Sequence, residues 1–569
     1  LTTFEVQVMR DGRWMTESIL DREAEAVLLA KKLLNAGTSQ GARVISERSL
    51  GGDLTAERTV FEETRDIPDK RPVAISAIDE APWCETADEL YALPARMTMA
   101  RLLRTYLDRN TVTVSELLYA FRPLSKLQNH DSNIYPSAVD KVASLQAQDR
   151  EDLDTRTRRD ALYGLIDEVG RRARRAEGER MMRGAGLDTL HEAYDKARMA
   201  AFDPAEQAFL VRAAIGRDLA GRQSWLGKLD ALLSAVSDDL PDGALAMLDE
   251  FIADCLGIGQ VVQDILGDRP NLAVALLTLI DLVEGKGETG AGGQAETAQV
   301  LAALFAAGKL PSSATVLMDR VYREVAGRSP LSRNDPSREH EFFEVLCDRV
   351  ISVNGLLGAH RMAVAITRRY NHRINQGGDA GWRQSIVGVS SSLANSARRL
   401  HYLAALSGAR EVQPYGGLIL DLIVDGIKTT RGVDDFAAEL PPAQKLATVT
   451  GVQRALMDGP AMPDVMRDRV FEHFDSMLAR YVEKARIIEK LDNPDDSLRK
   501  RADRLISFCA SGVLMEGKAL TFARKRVLSY LKRPDFTTEF LSDVPQPQQE
   551  EELRRLHMRL ARAGFGVGG

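Results

Sequence analysis

Cysteine, histidine and aromatic side chains are scarce in this 569-residue chain, and each scarcity removes a class of chemistry. Four cysteines, Cys84, Cys255, Cys347 and Cys509, stand far apart with no C-x-x-C pair. That excludes a zinc knuckle and a disulfide framework, and it suits a reducing cytoplasm. Eight histidines form no H-E-x-x-H and no E-x-x-H, so neither a zinc-peptidase helix nor a di-iron bundle is written here. Phe, Tyr and Trp make up 6% of the residues, too few to interleave with basic residues as stacking platforms for single-stranded nucleic acid. The longest apolar run, near Leu272 to Val283, is broken by Asp281 and is too short to cross a bilayer. The opening Leu1-Thr2-Thr3-Phe4-Glu5 lacks the basic and apolar regions of a secretory leader. The expectation is a cytoplasmic chain with no transmembrane segment.

What is present is helical in character. Ala, Leu, Arg, Glu and Asp abound, and a charged fraction of 28% beside a hydrophobic fraction of 44% is ordinary for a globular protein. A formal charge of −7 is modest for this length, so no global field drives the chain onto nucleic acid or membrane. The expected fold class is mainly α, a multi-helical array or bundle preceded by a small α/β module of ββαββ order.

That module occupies residues 1–65. Residues 4–8 (FEVQV) alternate apolar and polar, Asp11-Gly12 makes a turn, and 13–20 return as a second strand. Asp21 caps a helix with Val27, Leu28, Leu33 and Leu34 available for its buried face, and two further strands join through Gly51-Gly52-Asp53. Nine Lys/Arg against eleven Asp/Glu make the module a poor reader of nucleic acid. Residues 66–96, with Pro68, Pro72, Pro82 and Pro94, read as an extended linker. Apolar residues at three- and four-residue spacing then predict a helical domain over 97–284, a Gly-rich connection over 285–294, and a second helical domain over 295–535 with basic C-terminal helices. A polar tail with a short helix fills 536–569. The stripe Val470, Phe474, Met477, Tyr481, Ala485 and Ile488 predicts one long helix over 464–491 that offers a seam for a homo-oligomer.

Several motifs promise more than they hold. Gly285 to Gly293 (GKGETGAGG) contains a literal G-x-G-x-x-G, but a helix leads into it, no carboxylate lies near Phe305 to Leu310, and Lys286 precedes the glycines a Walker loop would place before it. It reads as a connection. His340, Glu344 and Cys347 share a helix face at i, i+4, i+7, which suits metal ligands, and equally suits a helix start, a surface acid and a core thiol. Residues 99–121 follow a helix-turn-helix rhythm without a basic recognition helix. No catalytic residue, metal site or cofactor is therefore expected.

Two basic features remain. Arg361, Arg368, Arg369 and His372 lie in one polar stretch of 360–373, with Arg361, Arg368 and His372 on one helical face, a candidate anion pocket. Residues 498–535 carry ten Lys/Arg against three acids on an acidic protein. Arg499, Lys500, Arg501 and Arg504 project from one amphipathic helix, and Arg524, Lys525, Arg526, Lys532 and Arg533 from the next, a candidate patch for phosphates, anionic lipid or an acidic protein partner. The functional expectation is a non-catalytic regulatory or scaffolding protein acting through helical surfaces and this patch. The alternative is an enzyme or ligand sensor with an anion pocket near 360–373, and the minor alternative is a nucleic-acid-associated regulator.

Overall fold

The computed structural model of the chain describes residues 2–10, 13–35, 41–49, 55–64, 74–148, 150, 153–222, 224–287, 295–333, 335–375, 377–460 and 462–566. The Asp11-Gly12 turn, the Gly51-Gly52-Asp53 joint, Pro68 and Pro72, and Glu288 to Gly293 of the glycine-rich stretch lie outside these residues. The fold is mainly α with a small N-terminal α/β module, and it divides into two units: residues 1–75 with 130–134, and residues 76–129 with 135–569.

In the first unit, strands β1 (Thr2–Arg10), β2 (Arg13–Leu20), β3 (Gly41–Ser49) and β4 (Thr55–Thr64) form an antiparallel sheet of order β2-β1-β3-β4, with helix α1 (Glu23–Asn35) between β2 and β3 in sequence. Alternation along β1 turns Phe4, Val6 and Val8 to one face, and register pairs Val6 with Val44 and Val8 with Ala42, so the buried face continues across β3. Helix α1 covers that face through Ala26, Ala30 and Leu34, at i, i+4, i+8. Leu28, expected inside, is 70% exposed. Small alanines let the helix approach the sheet closely, and the larger Val27 and Leu33 pack only at its flanks.

In the second unit the helices pack in succession, each on a neighbour. Ala244–Leu256 lies on Pro311–Ala326, which lies on Ala359–Ile374; Ser396–Ser407 lies on Pro442–Asp458, then Asp464–Lys484, then Lys518–Leu531. Within the stretch read as a linker, Ala87–Leu90 is helical and Leu93–Leu102 begins, with Arg96 only 1% exposed. Proline punctuation there marks helix starts, since Pro94 occupies the first turn, where its missing N–H costs nothing. Helices on both sides of the glycine-rich stretch also touch: Leu272–Val283 packs on Ala295–Ala306 and on Pro311–Ala326. Gly285, at φ 72°, would place a Cβ 2.5 Å from that of Ala306, so close helix approach explains this glycine without a ligand.

Buried ion pairs fix the first helices of this unit. Lys228 Nζ lies 2.6 Å from Glu116 Oε1 and donates to Thr111 O, with both side chains essentially inaccessible. Glu116 Oε2 accepts from the backbone N–H and hydroxyl of Thr113 in a capping box. Arg96 meets Asp254 at 3.2 Å, and Asp254 in turn accepts from the N–H and hydroxyl of Ser115. Every residue of Val114–Tyr119, the second helix of the helix-turn-helix rhythm, is buried, so it presents no face to a nucleic-acid groove.

The long helix expected over 464–491 is shorter than its stripe. Asp464–Lys484 ends, Arg486 adopts φ 50°, and a separate short helix, Ile487–Leu491, follows. No glycine or proline announces the break. Val470, Phe474 and Met477 are buried within the chain, under the helices Pro442–Asp458 and Lys518–Leu531. In the tail, Gln549–Arg562 docks on Leu498–Ala510 through buried Leu556 and Leu560 and an Arg559–Asp503 pair of 2.9 Å. Among the described residues no single helix is long and apolar enough to cross a membrane.

Candidate functional site: an arginine-lined cleft

A cleft of about 730 Å³ in the second unit is lined by Arg101, Arg104, Arg323, Arg361, Arg368 and Arg410. They reach it from five separate elements: Leu93–Leu102, Arg104–Asn110, Pro311–Ala326, Ala359–Ile374 and the 3₁₀ segment Arg410–Tyr415. Four carboxylates, Asp79, Glu80, Asp319 and Glu411, share the wall, which leaves an excess of two positive charges before His360 is counted.

Asp319 organises the floor. Its side chain is 4% exposed and pairs with Arg361 on the adjacent helix and, at 2.9 Å, with Arg323 one turn along its own. Burial works to raise its carboxyl, but Arg323, Arg361 and Arg101 overcome that and hold it below the usual carboxylate range. The Arg361 guanidinium also lies over the Tyr322 ring at 4.6 Å. Arg368 stands 3.4 Å from Glu411 and is 44% exposed. Arg101 and Arg410 have no carboxylate within ion-pair distance among the described residues, and Arg101 donates to Met97 O instead. Just beside the cleft, burial lowers the affinity of Arg320 for its proton and the neighbouring Arg323 and Arg104 add to this, opposed by Glu324 and by Asp108, which also pairs with Arg104 at 3.8 Å. Like charges crowded at one place are what an anion relieves.

Of the four residues expected to form the anion pocket, two enter the cleft. Arg361 and Arg368, seven residues apart, share a helix face. Arg369 points away and is buried, donating to Glu324 O at 2.7 Å, Val325 O at 2.9 Å and Ser329 O at 2.5 Å. It satisfies the free carbonyls where Pro311–Ala326 ends, a capping role. His372 lies on the cleft face by angle but one turn too far along, beside Ala326, where burial and then Arg328 lower its pKa. Arg101, Arg104, Arg323 and Arg410 carry no local signature, being single residues on elements distant in sequence.

The C-terminal basic patch is largely paired within the chain. Arg499 meets Asp543, Arg501 and Arg526 both meet Asp492, Arg504 meets Asp496, Arg524 grips Glu516 through both terminal nitrogens, and Arg533 meets Asp535 and Glu539. Lys500, Lys525 and Lys532 have no ion pair among the described residues. Asp475 caps the second of these helices through the N–H groups of Lys518 and Ala519, and a Cβ at Gly517 would sit 2.5 Å from its carboxylate. The His340, Glu344, Cys347 trio does not converge: His340 contacts Arg373 at 2.7 Å and Glu344 at 3.4 Å, while Cys347 is buried and burial pushes its thiol up to about 12. The described residues hold no group of three side chains placed to bind a metal ion.

Comparison with protein-family models, curated proteins and solved structures gives no match to this chain.

Proposed function

We propose that the protein binds a small phosphate-bearing anion in the arginine-lined cleft and serves as a ligand sensor in the cytoplasm. The observation that carries this is the convergence of six arginines from five elements on one cleft whose lining holds four carboxylates, with Asp108 pairing Arg104 from outside it at 3.8 Å. Guanidinium groups offer planar, two-pronged donation that matches phosphate oxygens, and several in one concavity select charge density rather than one contact. Four buried thiols without disulfides fit the reducing compartment of this reading.

Titration with inorganic phosphate, followed by phosphorus NMR line broadening, tests it. Saturable binding is expected, weakened about tenfold in Arg368→Ala and in Arg361→Ala, the loss for one charged hydrogen bond. Both variants should keep the helical circular dichroism of the parent. Binding indifferent to both substitutions would defeat the proposal.

A second reading, a protein-interaction role for the basic C-terminal helices, is supported by an open groove of about 380 Å³ where Phe522, 42% exposed, stands beside Lys525 and Ile488. An apolar anchor flanked by an unpaired lysine suits an acidic partner.

A further inference from the structure

Behind the cleft lies a second space of different chemistry. A cavity of about 120 Å³ is bounded by the strap before Ala87–Leu90 and the helices Leu93–Leu102, Val114–Tyr119, Phe121–Gln128, Ile134–Gln148 and Thr155–Gly178. Its wall is almost wholly apolar, with Leu102, Leu117, Leu124, Val139, Leu162 and Val169 each at most 5% exposed. A dry cavity of about 150 Å³ with such a lining takes up benzene or xenon, so this one is large enough for a small apolar group.

A third space shares a wall with each of them. A neck of about 510 Å³ shares Asp79, Glu80, Arg101, Asp319 and Arg361 with the cleft, and shares Ala81, Pro82 and Thr98 with the cavity. In the neck Met97, Pro94 and Leu145 stand beside Arg101 and Arg361, and only the far space is apolar throughout. Thr98 turns its hydroxyl to Pro94 O at 3.0 Å, which leaves its methyl to the shared wall. The strap is held in place from behind: Gln146 donates to Pro82 O at 2.5 Å, Arg158 donates to Gln146 Oε1 and to Cys84 O at 2.7 Å each, and the Arg158 guanidinium lies 3.8 Å from the Trp83 ring centre. Ala81-Pro82 is thus a thin partition of small side chains, pinned at its far end.

From this adjacency we infer that cleft, neck and cavity serve as one site for a single-chain anionic amphiphile, its phosphate head on the arginines and its short alkyl or acyl chain reaching past Ala81-Pro82 into the cavity. The inference rests on the anion-binding reading above and adds the class of ligand. Neither half alone accounts for the other: a bare anion leaves the cavity unused, and a neutral apolar guest has no reason to enter beside six arginines.

Calorimetric titration of the full chain with inorganic phosphate and with butyl, hexyl and octyl phosphate separates the two claims. Affinity is expected to rise with chain length over phosphate itself, by about fourfold for each methylene fully buried, and to level off once the cavity is filled. Ala138→Leu, which places three carbons in the cavity from its wall, should abolish the gain and leave phosphate binding as it was. Benzene at saturation, added to the parent protein, should weaken octyl phosphate and leave phosphate untouched, an arm that requires no variant to fold. If phosphate binds but the chain adds nothing, or the gain survives both Ala138→Leu and benzene, the amphiphile inference is overturned and the anion cleft stands. If neither phosphate nor any alkyl phosphate binds, both fall.

Discussion

At the scale of single residues, the cleft turns on Asp319, because this buried carboxylate already occupies two of the arginines an incoming anion would use. Replacing it with asparagine sets stability against binding. Its folded pKa is held below the unfolded value of about 3.9 by Arg323, Arg361 and Arg101 against the cost of burial. Such a group contributes stability in full above the unfolded value, and that contribution is lost as pH falls through the folded one. Asp319→Asn should therefore destabilise the protein at neutral pH by about 1–3 kcal/mol, with the deficit shrinking below about pH 4, as urea midpoints at several pH values will show. The same substitution releases Arg361 and Arg323, so phosphate should bind several-fold tighter. Unchanged phosphate affinity would mean that these arginines are not the receiving groups. Two of the cleft's six arginines could be read from sequence at this scale: Arg361 and Arg368 lie on one face at a spacing of seven. Arg369 could not be sorted from them, since a one-residue step turns a side chain by about 100° and only packing decides that it caps Pro311–Ala326. Arg101, Arg104, Arg323 and Arg410 meet only through the packing of five elements.

At the scale of elements, periodicity carried the mainly α class and the ββαββ order, because both rest on local patterns of burial. It failed where an element ends without local punctuation, as at Arg486, and where prolines begin helices rather than exclude them, as at Pro94. Elements too short to stand alone depend on buried ion pairs. Val114–Tyr119 has six residues, well below the length at which a helix holds in water, and its register is fixed by Glu116 meeting Lys228 and Thr113. Removing one partner strands the other's charge in the core. Glu116→Gln and Lys228→Met should each cost about 3–5 kcal/mol, while the double variant should cost much less than their sum. A double-mutant cycle on urea midpoints measures this, and additive losses would show that the pair does not act as a unit.

At the scale of the whole molecule, a net charge of −7 opposes the approach of any anion, whereas the cleft concentrates an excess of two positive charges. Recognition must then be local, and local fields between exposed groups are sensitive to salt. The screening length is about 10 Å at 0.1 M and about 3 Å at 1 M. Arg104, Arg323, Arg361 and Arg368 are all 44% or more exposed, so salt reaches them. The pairs Lys228–Glu116 and Arg96–Asp254 are at most 5% exposed and lie beyond its reach. Raising chloride from about 0.1 M to about 1 M should weaken phosphate by about tenfold or more while the thermal midpoint moves little. For octyl phosphate the same change should remove only the head's share, so that its advantage over phosphate widens with salt. Phosphate binding that ignored salt would place the anion away from these arginines, and a chain-length advantage that vanished in salt would show that the apolar end of the path contributes nothing.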